Sequence, residues 1–162
     1  MANVYATTYS TLITALRDLA LSDMAVKSFR VGPVSDIEIA MKSDDPQMQG
    51  SFKYPYVHLV PGPATMNGRS TIFSFDMIIM DLAKDQIDLE TTVHSSTLEI
   101  TRDLLAKFRL TTWNEFRYNV TLPATTTPFV EGHLNSVAGW TTQLNVEAIT
   151  PLNLCDAPFI TV

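Results

Sequence analysis

Apolar and polar positions alternate most clearly near the end of the chain, in Ala138-Gly139-Trp140-Thr141-Thr142-Gln143-Leu144-Asn145-Val146-Glu147-Ala148-Ile149. Trp140, Thr142, Leu144, Val146 and Ala148 fall on one side, and Thr141, Gln143, Asn145 and Glu147 on the other. A period of two marks a half-buried strand. Two further runs read the same way. Tyr54-Pro-Tyr-Val-His-Leu-Val60 is a strand with Pro55 near its start, and Pro61-Gly62-Pro63 is expected to stop it. Ser70 to Asp81 is the longest strand, with Phe73, Phe75, Met77 and Ile79 on one face. Ile72, Ile78 and Met80 make the other face partly apolar too, so cover on both faces is expected. The Met66-Asn67-Gly68-Arg69 turn joins these two into a hairpin, with Asn-Gly suited to positive φ.

Two segments carry the helical period instead. Leu12, Ile13, Leu16, Leu19 and Ala20 predict a first helix, with Thr8 or Ser10 as its cap and Ser22-Asp23 at its end. Leu89, Val93, Ser96, Ile100, Leu104 and Phe108 predict a long second helix. Its Glu99–Arg102 and Asp103–Lys107 spacings attract, and Lys107 and Arg109 suit the C-terminal end of the helix dipole. Val26–Val31 alternates weakly, and Asp36–Met41 alternates acid with aliphatic, which predicts a short strand or extended lead-in. Phe116–Leu122 reads as a strand, Thr125–Pro128 as a linker, and Phe129-Val130 as a short apolar stretch. The acidic connector Ala83–Asp88 and the loop Glu131–Val137 complete the order.

The organisation is a single domain over 1–162, with a long loop at 42–53 and an extended tail at 151–162. The tail, Pro151-Leu-Asn-Leu-Cys-Asp-Ala-Pro-Phe-Ile-Thr-Val162, is apolar yet carries Pro151 and Pro158. It cannot extend a ladder, so a partner subunit is its expected cover. The charged fraction is 17%, below the usual ~25%. So low a charge density leaves two readings open, a mildly polar monomer or a surface covered in an assembly. The net charge of −6 and the scattered basic residues argue against a grip on nucleic acid, which needs clustered Lys and Arg.

Candidate chemistry is sparse. The single Cys155 forms no intrachain disulfide and has no neighbouring His. His58, His94 and His133 lack metal-ligand spacing, and His58 reads as an outward-facing strand residue. Asp44-Asp45 lacks an EF-hand register, and Gly62 and Gly68 form no phosphate-binding pattern. The dispersed tyrosines and Trp113 lack the interleaved basic residues of an RNA-binding sheet. The start of the chain has no basic, apolar signal segment, no run of about 20 apolar residues offers a membrane span, and the sequon Asn119-Val-Thr121 is therefore read as incidental. No enzyme, metal or cofactor is expected.

Four stretches give a likeness: Tyr9-Ser-Thr-Leu-Ile-Thr-Ala-Leu16, Tyr54–Val60, Phe73–Asp81, and Ala138–Thr142 with Pro151–Cys155 downstream. With the element order, they resemble the tail terminator, tail-completion and head–tail neck proteins of tailed bacteriophages. That resemblance implies an α+β fold, a small antiparallel or mixed sheet packed against two helices. It also implies a ring of identical subunits, sixfold or twelvefold, in the virion at the head–tail junction, assembled in the host cytoplasm. Its partners would be itself and other neck, portal-adjacent and tail proteins, with DNA only as cargo through a lumen and no membrane. The loop at 42–53 departs from short terminators and leaves terminator, neck and tail-tube roles open. Subunit-interface candidates are Lys42, Asp44, Asp45 and Lys53 in the loop, and Leu152, Leu154, Phe159 and Ile160 in the tail. The alternative is a small soluble ligand-binding domain or enzyme acting as monomer or dimer.

Overall fold

A computed structural model describes residues 9–42, 53–83, 87–110, 118–131 and 137–149. The elements in chain order are α1 (Tyr9–Leu21), β1 (Ser28–Val31), α2 (Ser35–Lys42), β2 (Tyr56–Met66), β3 (Thr71–Leu82), α3 (Ile87–Leu110), β4 (Tyr118–Val120), β5 (Thr126–Glu131) and β6 (Val137–Ala148). They build one six-stranded sheet in the order β1-β2-β3-β6-β4, with β5 also on β6. β1 runs parallel to β2, and every other pair is antiparallel.

The expectation of a small sheet packed against two helices is corrected. Strand predominates, and the sheet is a strongly curled, mixed half-barrel. Its extent comes from segments with weak periodicity. The threonine stretch expected to be a linker enters β5, where Thr126 pairs with Thr142 and Thr127 with Thr141. Pro61-Gly62-Pro63 does not stop β2. The strand passes through to Met66, and a bulge between Pro61 and Ala64 absorbs one extra residue.

The expected faces of β3 and β6 are the observed ones. Phe75, Met77 and Ile79 join Val57, Leu59, Leu144, Val146 and Ala148 in the main core. Two helices cover this first face. α1 contributes Leu12, Leu16 and Ala20, and α3 contributes Ile100, Leu104 and Phe108. The buried stripe of α3 runs through Val93, Thr97, Ile100, Thr101, Leu104 and Phe108, leaving Leu89 and Ser96 outside it. The two threonines are buried because their hydroxyls bond back to the carbonyls of Val93 (2.6 Å) and Thr97 (2.8 Å). At the far end of α3, Lys107 Nζ donates to Ser22 Oγ across to the end of α1 (3.1 Å).

Asp36–Met41 is not a strand. It lies in α2, which packs on the second face of the sheet. Asp36 and Glu38 in the first turn complement the positive end of the helix. Ile37 is buried there with Tyr56, Met80 and Val137, flanked by Tyr54, Ile78, Leu82 and Phe129. Val34 just before α2 and Ile39 within it stay exposed. α2 therefore covers the part of the second face around Tyr56, Met80 and Val137.

Candidate functional site

Two features stand out, the uncovered outer edge of β2 in the β2–β3 arm, whose other strand is paired to β6 throughout, and a buried polar chain on the second face. The uncovered edge follows from register. β1 pairs with β2 only from Tyr56 to Leu59. Past that point, among the described residues, no strand takes the outer edge of β2. Pro61 to Met66 are exposed, and Met66 stands at 67% exposure near the tip. Exposed strand edges invite unwanted pairing, and Pro61 and Pro63, which lack N–H donors, blunt this one.

The tip is held by a side chain rather than by glycine conformation, since no glycine among the described residues has positive φ. Asn67 Oδ1 accepts from the N–H groups of Arg69 (2.8 Å) and Ser70 (2.7 Å), and Asn67 N–H donates to Ser70 O (2.9 Å). Ser70 Oγ then donates to Glu147 at the end of β6 (2.6 Å), fixing the arm to its neighbour strand. Asn67→Ala is expected to cost about 1 kcal/mol, the worth of such side-chain bonds. The loss would appear in urea unfolding, and an unchanged midpoint would show that the backbone alone holds the turn.

Beside the arm, Gly62, Pro63, Ser74, Phe75, Asp76, Gln143 and Asn145 line a shallow depression of about 270 Å³. Its polar groups are one hydroxyl, one carboxylate and two amides beside the apolar Pro63 and Phe75, with no nucleophile–base pair among these residues. Among the described residues no group of three His, Cys, Asp or Glu is placed to hold a metal ion.

The buried chain was not legible in the sequence. His58 is not outward-facing to solvent; it is fully buried on the second face, beside the equally buried Tyr56. Tyr56 OH lies 2.7 Å from His58 Nδ1, and His58 Nε2 lies 3.0 Å from the carbonyl of Gly32. A carbonyl only accepts, so Nε2 carries the hydrogen. Nδ1 is then the acceptor and Tyr56 the donor. Burial pushes the His58 pKa below its ordinary value, partly offset by the backbone around Gly32 and Pro33 and by Asp36. Burial also pushes the Tyr56 hydroxyl well up, and raises Tyr54 to about 12 with help from the Asp81 charge.

Of the expected interface residues, Lys42 closes α2 rather than opening a loop. Lys53 is drawn to β1: its N–H donates to Ser28 Oγ (3.1 Å), and its carbonyl accepts from the same hydroxyl. Asp44, Asp45, Leu152, Leu154, Phe159 and Ile160 lie outside the described residues, as do most of the 42–53 loop and the whole tail. His94 is a packing residue, donating from Nε2 to Phe129 O (3.1 Å) while its own carbonyl accepts from Trp140 Nε1 (2.8 Å).

Compared with known proteins, the chain matches no family model and no curated protein.

Proposed function

We propose that this chain is a non-enzymatic virion subunit that assembles with copies of itself into a ring at the head–tail junction of a tailed bacteriophage. In that role, as terminator or neck protein, it joins the capsid connector to the tail. The observation that carries this reading is the β2–β3 arm. Beyond Leu59 the outer edge of β2 is uncovered, the side chains are exposed, and the tip is braced by Asn67 and Ser70. A braced arm costs little entropy to dock. Its prolines discourage indiscriminate strand addition, so contact through side chains with a defined partner is the use that fits it. The low charged fraction and the resemblance of the four sequence stretches point the same way.

The test is the native mass of the purified full chain, with negative-stain imaging of the same sample. Rings of several subunits support the proposal, and their symmetry separates a terminator from a neck protein. A monomer at high concentration counts against self-assembly. The same measurement on a chain ending at Thr150 probes the tail: loss of rings from a folded monomer is expected, whereas unfolding would make the tail part of the core. The competing reading, a small ligand-binding domain, has the polar depression beside the arm as its support. A small molecule retained there by purified protein would favour it.

A further inference from the structure

We propose that Asn67 is a self-modification site: its side-chain amide closes onto the backbone nitrogen of Gly68, expels ammonia and leaves an acidic residue at the tip of the β2–β3 arm. Such a closure needs a free nitrogen next in the chain, a carbonyl carbon turned toward it, and room. Among the described residues Gly68 N–H has no hydrogen-bond partner, whereas the N–H groups of Asn67, Arg69 and Ser70 around it are all used. Nothing lies within 4 Å of a Cβ at Gly68, and its φ is not positive, so the tip does not need glycine for its conformation. What the missing side chain provides is an unobstructed nitrogen. The Asn67 side chain is folded forward along the chain, because Oδ1 takes its hydrogens from Arg69 (2.8 Å) and Ser70 (2.7 Å), beyond Gly68. An oxygen held there keeps Cγ on the Gly68 side of the turn, and a group held close to its nucleophile needs no chance encounter.

The chemistry uses only solvent, which reaches both residues because both are exposed. Hydroxide removes the Gly68 proton, and the nitrogen forms a bond to Asn67 Cγ. Negative charge gathers on Oδ1, where two backbone N–H groups already point, the arrangement that stabilises an oxyanion. The Cγ–Nδ2 bond breaks, Nδ2 takes a proton from water, and ammonia leaves a cyclic imide. Water then opens the imide at Cγ, giving aspartate, or at the main-chain carbon, giving isoaspartate, whose chain runs on through Cβ. Asn119 and Asn145, by contrast, lie in strands and precede the buried Val120 and Val146.

The products loosen the brace of the arm. Nδ2 now donates to Ser70 Oγ (2.9 Å), which donates in turn to Glu147 (2.6 Å). Both products lose the first of these bonds and put a new carboxylate near that of Glu147. Isoaspartate also adds a methylene to the main chain of the turn. The reaction belongs to the single chain and does not depend on ring assembly.

The test is timed incubation of the full chain in mildly alkaline buffer, followed by trypsin and mass spectrometry. Cleavage after Lys53 and Arg69 isolates residues 54–69, in which Asn67 is the one side-chain amide. That peptide is expected to gain the mass of an amide turned to an acid, as two isomers separable by chromatography, faster as hydroxide rises. Conversion in the native chain should be at least as fast as in the same chain unfolded in urea, since the fold frees the nucleophile and supplies the two donors. Gly68→Ala, which fits the open space at the tip, should slow it severalfold. Native conversion severalfold slower than in urea would overturn the proposal, because the turn would then protect Asn67. So would aspartate formed without isoaspartate, which excludes the imide, or a rate unchanged in Gly68→Ala.

Discussion

Gly139→Val is expected to unfold the protein or to lower its stability by about 3 kcal/mol, the upper part of the usual range for overpacking. A Cβ at Gly139 would stand 1.9 Å from the carbonyl oxygen of Ile79 and 2.9 Å from its carbon. These are backbone atoms of β3, so no side chain can swing aside. Gly139 pairs with Met80 in the register between β6 and β3, the two central strands of the sheet. The sheet is strongly curled, and the glycine permits the close approach of the two backbones. Moving the strands apart would disturb Met80 and Val137 on the second face and Ala138 on the first, all of them buried. Thermal unfolding by circular dichroism reads the effect directly. For a chain of this size about 3 kcal/mol corresponds to a fall in Tm of roughly 10 °C. Gly68→Ala is the control, because nothing lies within 4 Å of a Cβ at that tip position. A Gly139→Val protein that melts with the wild type would mean that the strands are not so closely apposed.

The same strand shows how far the sequence could be read. Its alternation assigned the buried side of β6 correctly, down to the buried Thr142. What alternation could not give was the role of Gly139, because a missing side chain carries no periodicity. The helices α1 and α3 were legible for the same reason as β6, a stripe that repeats over several turns. α2 was not. In Asp36-Ile-Glu-Ile-Ala-Met41 a short run fits both periods, and Ile37 and Ile39 alternate as well in a helix that buries one of them. The two acids in its first turn were the signal for helix.

That one error propagated to the buried site. With no element assigned to cover the second face, His58 had to point to water, although Met80 had already marked that face as partly apolar. Tyr56 and His58 alternate in step with Val60, which is the pattern of a covered face once a cover is known. The uncovered edge of β2 was less legible. The exposed arm depends on where β1 stops pairing with β2, and a register is a long-range fact that neither strand's own composition states.

The second large effect separates folding from assembly. Phe108→Ala is expected to cost about 3–5 kcal/mol, the range for removing a buried phenylalanine. Phe108 is 1% exposed near the end of α3, in the cluster that joins α1 and α3 to the first face through Leu12, Leu16 and Leu104. Such a loss is a large fraction of the 5–15 kcal/mol that holds a typical domain together. Urea unfolding should show a much lower midpoint with little change in slope. Met66→Ala, at the exposed tip of the arm, should leave that midpoint unmoved, because an exposed side chain with no cover contributes within about 0.5 kcal/mol. If the arm docks on a neighbouring subunit, Met66→Ala should instead weaken the ring while the monomer stays as stable as before. Phe108→Ala would lose both together. A Met66→Ala protein that assembles as the wild type does would remove the tip from the interface, and a Phe108→Ala protein of unchanged stability would mean that α3 is not seated on the sheet through this ring.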